Sequence, residues 1–340
     1  MPRPKALYVL NLAHLNRVYG PAEQADIAQL VDFVGPPQSP ATLAANPGLM
    51  RHVEVMLSTW GAPKIDDAFL DNAPNLKAIF YGAGAIGGWT TEALWERGVT
   101  ITTATSANAV PVAEYTLAMI VLGLKRVFAS ARLIQETRRF AGVKEPIGAY
   151  KSTVGLLSLG TIARRLLELL RPFEMNVVVC DPFLTAEEAE RLGVRLVTID
   201  ELFATSDVVS VHTPLLPETA SMIRAEHFAA MRDGSTFINT ARGGVVNEPD
   251  LIAAAQARPN LQFVLDVTDP EPPAADSPLY TLPNIFLTPH VAGSTGGECA
   301  RMGRYMVDEL RRYIAGEPLK WAVSRQAAES SAHRPGKAGH

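Results

Sequence analysis

One stretch limits the fold more than any other: Thr153-Val154-Gly155-Leu156-Leu157-Ser158-Leu159-Gly160-Thr161-Ile162-Ala163-Arg164. It reads as a buried strand, a tight turn over 158–161 and a helix running on through 163–170. A second apolar strand, Asn176-Val177-Val178-Val179-Cys180, follows and ends on Asp181. This is the layout of a dinucleotide-binding βαβ unit. The free N–H groups at the helix start can hold a pyrophosphate. An acid about 20 residues past the turn can accept from the adenosine ribose hydroxyls. The turn departs from G-x-G-x-x-G at one point. Ser158 stands where the first glycine makes the tight turn, whereas Gly160 is kept and Ala163 is an allowed small third residue. On this segment alone, any α/β crossover with a glycine turn remains an alternative.

The rest of the chain repeats the alternation. Apolar strands are expected at 6–10, 53–57, 76–80 and 99–103, and beyond Asp181 at 194–197, 207–211, 235–238, 261–265 and 285–287. Helical spacing covers 23–30, 112–127, 199–204, 226–231, 248–257 and 297–314, with a polar connection at 135–152. Alternating strands and helices imply α/β architecture, a parallel sheet with helices on its faces. A chain of 340 residues is long enough for two such domains. Ligands of these sheets sit beyond the carboxyl ends of the strands. The loops at Trp60, Ala83 and Asn108 are expected there.

Composition removes several classes. A net charge of −4 without a basic block points away from nucleic acid and from anionic membrane surfaces. No apolar run is expected to reach the length of a membrane span. Two cysteines, Cys180 and Cys299, are too few for a disulfide framework or a zinc site, so no metal is expected. The first five residues run straight into a strand without a signal-peptide core, and the reading is cytoplasmic.

Three side chains that could carry chemistry fall directly after expected strands: Arg242, Glu271 and His290. Each alone reads as an ordinary surface residue. Their shared placement, at the sheet end where Gly160 and Asp181 would hold a dinucleotide, makes them a candidate site. An arginine fork can hold a 2-oxo acid by its carboxylate and carbonyl oxygens. A histidine titrating near neutrality can move the proton that accompanies hydride transfer. A carboxylate beside it orients the ring and favours its charged form.

Four runs carry a resemblance: Ser206-Asp207-Val208-Val209-Ser210-Val211-His212-Thr213-Pro214-Leu215, Asn239-Thr240-Ala241-Arg242-Gly243, Leu265-Asp266-Val267-Thr268-Asp269-Pro270-Glu271-Pro272 and Pro289-His290-Val291-Ala292-Gly293. In this order the chain, over residues 76–314, resembles the D-isomer-specific 2-hydroxyacid dehydrogenases. The resemblance implies that Arg242 binds substrate, that Glu271 partners the histidine and that His290 is the acid–base group. It implies NAD as cofactor, with Leu159, Gly160, Thr161, Ile162 and Asp181 at the turn and ribose. His212, Thr213, Thr240, Ala241, Asp266 and Gly293 would surround the nicotinamide half, Asp266 as the carboxamide partner and His212 packing nearby without chemistry. Ala83, Gly84 and Ala85 resemble a carboxylate-binding backbone loop, and Asn108 a second substrate-side position.

The resemblance also implies two doubly wound parallel-sheet domains, a Rossmann-type NAD domain inserted in a flavodoxin-like substrate domain. The expected bounds are 1–108 and 294–322 for the substrate domain and 109–293 for the NAD domain, with a disordered tail at 323–340. The cleft between the domains would close on substrate. The expected partners are a small 2-oxo or 2-hydroxy acid and a second copy, as a homodimer through the NAD domain. A rival on the same fold is an NAD-binding regulator resembling the C-terminal-binding-protein corepressors, or a pseudoenzyme. A formate dehydrogenase is weaker, because that branch carries an amide where this chain has Glu271. The regulatory domain of longer phosphoglycerate dehydrogenases is not expected.

Overall fold

The structure, a computed structural model, describes residues 2–140, 142 and 147–330. Among them, short apolar runs closed by polar or glycine turns form twelve strands, and every pairing between these strands is parallel. The chain separates into two compact units, Met1–Asn108 with Ser294–His340, and Ala109–Gly293.

The first unit holds β1 (Lys5–Tyr8), β2 (Asp32–Phe33), β3 (Val55–Ser58), β4 (Ala78–Tyr81) and β5 (Thr100–Thr103), in the order β2-β1-β3-β4-β5. That is the flavodoxin-like order. The second unit holds β6 (Thr153–Leu157), β7 (Asn176–Cys180), β8 (Arg195–Leu196), β9 (Val208–Val211), β10 (Thr236–Asn239), β11 (Gln262–Leu265) and β12 (Ile285–Leu287). Its order is β12-β11-β10-β9-β6-β7-β8, the doubly wound dinucleotide-binding order with one further edge strand. The direction of winding reverses between β6 and β9, and a crevice opens there at the carboxyl ends.

Strands covered on both faces are mostly apolar. All four residues of β9, β10 and β11 are buried. Phe237 of β10 and Phe263 of β11 pack with Phe203 and Phe228 from helices Ile199–Thr205 and Ala225–Ala230, each ring fully buried and in contact with at least two of the others. Each such ring stabilises the fold by roughly 1.5–3 kcal/mol relative to exposure. The site-bearing strand ends therefore rest on a rigid floor.

Several expectations are corrected. The expected helix at 112–127 is two helices, Thr105–Leu124 and Val127–Thr137. The break falls at Arg126, left-handed at φ 54°, whose guanidinium donates to the carbonyls of Gly234 and Asn260. The connection expected from 135 thus begins later, and its residues 141 and 143–146 lie outside the described residues. Asn108 is not in a loop: it sits in the first helix, one turn before Pro111. That helix is long and apolar enough to cross a membrane by length and composition, contrary to the expectation, with half of its most apolar stretch buried in the fold. The disordered tail expected from 323 is also corrected in part. The N–H of Val323 donates to the Ile101 carbonyl, and Arg325–Ser330 is a helix whose Ala328 is buried. Residues 331–340 lie outside the described residues.

Candidate active site

The turn after β6 forms with serine. Ser158 takes φ 74°, in the left-handed region, as the first glycine of the motif would. For a residue with a Cβ this costs roughly 1–2 kcal/mol. Three bonds hold it there. The Ser158 N–H donates to the Cys180 carbonyl at 2.8 Å, the Leu159 N–H to Asp181 Oδ2 at 2.7 Å, and Ser158 Oγ lies 2.9 Å from Thr213 Oγ1. Leu159 itself is core, so its contribution to the site is its main chain.

The next residue opens space. A Cβ on Gly160 would meet nothing within 4 Å. Gly160 starts the helix Thr161–Leu170 without a side-chain cap, so the N–H groups of its first turn, which includes Thr161 and Ile162, are not claimed by a cap. Asp181 directly follows β7, its Oδ1 accepting from the Phe183 N–H at 2.7 Å. A carboxylate with two internal donors keeps two further acceptor sites. Open space, an uncapped helix start and an acid across the turn fit a dinucleotide.

His212 follows β9. Its Nε2 lies 3.1 Å from Ser210 Oγ, and its buried Nδ1 has no partner among the described residues. Burial pulls its pKa down to about 4, so the ring is neutral at pH 7. Thr240, after β10, is buried with its hydroxyl 3.3 Å from that of Thr116. The Ala241 N–H donates to Asn239 Oδ1, and Asn239 Nδ2 donates to the Arg242 carbonyl. Asn239 thereby fixes the backbone that carries Arg242.

His290, Glu271 and Arg242 come together at the carboxyl end of this sheet. His290 Nδ1 lies 2.7 Å from Glu271 Oε1, both side chains about half exposed. The bond from His290 holds the Glu271 carboxyl below its ordinary value, with the charges of His290 and Arg242 adding to the effect. Burial lowers the Arg242 pKa, and the Glu271 charge opposes this. Gly243 makes the approach of the two loops possible. A Cβ there would fall 2.0 Å from the carbonyl carbon of Thr268.

Asp266 has a role the sequence did not show. It is 1 % exposed, and its carboxylate accepts from the Thr288 hydroxyl at 2.7 Å, the Val291 N–H at 2.8 Å and the Ala292 N–H at 2.9 Å. These bonds flank His290, which sits at φ 52°. Three of about four acceptor positions are thus spent on the histidine loop. Tyr115, whose hydroxyl is 2.8 Å from that of Thr288, extends the clamp. Gly293 closes the loop as the last residue of its unit.

The remaining candidates lie in the first unit. Ala83 is buried and its carbonyl accepts from the Ala104 N–H, whereas Gly84 is half-buried and Ala85 exposed. Asn108 Oδ1 accepts from the Ser294 N–H at 2.8 Å, a structural bond that leaves its amide NH2. No group of three or more possible metal ligands occurs among the described residues.

The profile of the NAD binding domain of the D-isomer specific 2-hydroxyacid dehydrogenases matches residues 117–292, just over half of the chain. The chain belongs to that family. A D-3-phosphoglycerate dehydrogenase of Archaeoglobus fulgidus is 32% identical over 272 residues, 79% of this chain and 51% of that protein. The chain thus spans about half the length of this dehydrogenase relative. Among solved structures, a protein of Thermus thermophilus is 27% identical with a TM-score of 0.71, covering 94% of this chain and 100% of its own. A probable 2-hydroxyacid dehydrogenase of Rhizobium etli CFN 42, solved with NADP, is 26% identical with a TM-score of 0.75, covering 96% and 99%. As a dehydrogenase-family chain, the protein carries a nicotinamide dinucleotide site in its second unit.

Proposed function

We propose that the protein is an NAD-dependent oxidoreductase that interconverts a 2-hydroxy acid and a 2-oxo acid. The observation that carries this is the 2.7 Å pair of His290 and Glu271, with Arg242 in electrostatic reach, on neighbouring loops of the dinucleotide-binding sheet.

The nicotinamide, when bound, gives or takes the hydride at the substrate carbon. Arg242 holds the carboxylate and the carbonyl oxygen of the oxo acid through its fork of N–H groups. His290 Nε2 delivers a proton to that oxygen during reduction and receives it during oxidation. Glu271 takes Nδ1–H, which fixes the ring and favours imidazolium. Asp181 holds the adenosine ribose hydroxyls, and neutral His212 lines the site without exchanging protons. NADH oxidation against glyoxylate, hydroxypyruvate, pyruvate, phenylpyruvate and sugar-derived oxo acids tests the reading. Turnover of at least one is expected. NADH binding without turnover of any would favour a binding role on the same fold.

A homodimer through the second unit belongs to the same proposal. Its support is the helix Val127–Thr137, which has an apolar side yet buries none of its residues. Beside it lies a pocket of about 400 Å³ lined by Phe128, Leu133, Phe263 and Phe286, and Phe140 and Tyr150 stand exposed nearby in sequence. Light scattering should give twice the chain mass, and Leu133→Glu should return it to one. A cytoplasmic location, supported by two unbonded cysteines, is proposed as well and is checked by cell fractionation.

A further inference from the structure

We propose that Ser158 is a positioning residue for the dinucleotide, acting through a hydroxyl relay that bridges the crevice between β6 and β9. Ser158 ends the β6 side and Thr213 the β9 side, where the sheet reverses its winding and where such sheets bind their ligands. The inference rests on the dinucleotide reading of this turn.

The relay has a direction. Thr213 Oγ1 lies 3.3 Å from the Leu157 carbonyl oxygen, which can only accept, and a proton given there leaves Thr213 Oγ1 as acceptor for Ser158. Ser158 then donates across the 2.9 Å gap to Thr213 Oγ1. Thr213 is 3 % exposed, so this bond is made away from most solvent. With its proton committed, Ser158 Oγ keeps acceptor capacity that suits a sugar hydroxyl and not a phosphate oxygen.

A glycine here would take φ 74° without strain but would leave the two lips of the crevice untied. Serine accepts a strained backbone and supplies the tie. The Ser158 N–H bond to Cys180 and the Leu159 N–H bond to Asp181 then lock the turn onto β7 as well. The tie presets the spacing between the helix start at Gly160 and the loop at Thr213. It therefore acts on dinucleotide affinity more than on turnover.

The test is NADH titration by protein fluorescence, with thermal melting of the same samples, for the wild type and five variants. Ser158→Ala and Thr213→Val should each weaken NADH binding by about fivefold, the scale of one neutral hydrogen bond. The double variant should bind no more weakly than either single one, because both remove the same bond. Thr213→Ser should restore wild-type affinity. Ser158→Gly should melt higher than wild type, its strain relieved, yet bind NADH a few-fold more weakly. Unchanged affinity in both single variants would overturn the proposal, and so would effects that multiply in the double variant. A wild type that binds no NADH would overturn the dinucleotide reading itself, which is a separate result. If Ser158→Ala fails to fold, Thr213→Val against Thr213→Ser still decides.

Discussion

The imidazole of His290 meets Glu271 through Nδ1, at 2.7 Å, and this turns Nε2 away from the carboxylate. A carboxylate accepts only, so the proton of this bond sits on Nδ1. In the proposed mechanism the remaining ring nitrogen is the one that exchanges a proton with substrate. The arrangement makes the pair testable as a unit.

Replacing Glu271 by glutamine keeps the shape and removes the carboxylate that accepts from His290 Nδ1 at 2.7 Å. Turnover of the 2-oxo acid should fall by roughly tenfold or more, the scale of one hydrogen bond to a charged group. His290→Ala should lower kcat by roughly 10²–10⁴ with NADH binding kept. The check is a pH–rate profile on a substrate whose chemical step limits turnover. Superimposed profiles for wild type and Glu271→Gln would remove Glu271 from the mechanism.

Arg242 predicts a different pattern. Its fork would bind the oxo acid in the ground state and in the transition state. Arg242→Ala should therefore raise KM for the oxo acid as well as lower kcat, while KM for NADH stays near wild type. Arg242→Lys should recover little, because an ammonium cannot reproduce a planar two-point contact. Steady-state kinetics with each substrate varied in turn separates the two.

Asp181 bears on cofactor choice. Its carboxylate would accept from a ribose 2′-hydroxyl and repel a 2′-phosphate. NADH should be preferred over NADPH in kcat/KM, and Asp181→Ala should narrow the preference, chiefly by weakening NADH. The same change removes the Oδ2 bond to Leu159, so some loss of NADH affinity comes from the turn. Equal kcat/KM for the two cofactors in the wild type would refute the assignment.

His212 makes stability depend on acid. Its folded pKa is about 4 against 6.5 for a free side chain, so between these values the unfolded chain binds the extra proton. Stability from this group is whole above pH 6.5 and falls progressively toward pH 4, by roughly 3 kcal/mol over the window. Urea unfolding of wild type and His212→Asn at pH 7.5 and pH 5 checks the sign. The gap in stability between the two pH values should shrink in the variant.

Much of this architecture is legible in the sequence because buried parallel strands read as near-continuous apolar runs. β9, β10 and β11 show it, each buried throughout and broken only by Ser210, Thr236, Asn239 and Gln262. β2 does not, since both Asp32 and Phe33 are exposed and leave no burial pattern. The helix break at Arg126 was invisible because its cause is distant: the carbonyls of Gly234 and Asn260, more than 100 positions away. Asn108 read as a loop because it closely follows the strand expected at 99–103, yet the helix starts already at Thr105 and accommodates Pro111. At the site, the charged side chains stand out by type and by position after strands. The work of Asp266 does not, because two of its three donors are main-chain N–H groups that almost every residue carries.

The bare hydrogen of Gly243 sets a boundary for anyone who would redesign this protein. Its Cα lies so near the Thr268 carbonyl that even alanine would drive the loops of β10 and β11 apart. Libraries that diversify the Arg242 loop to reach new acids can vary the residues on either side of that contact. At position 243 itself every amino acid with a Cβ collides with main chain, and no neighbouring side chain can turn away to admit it. The route to new substrates therefore runs around this residue, through the loops that have room to change.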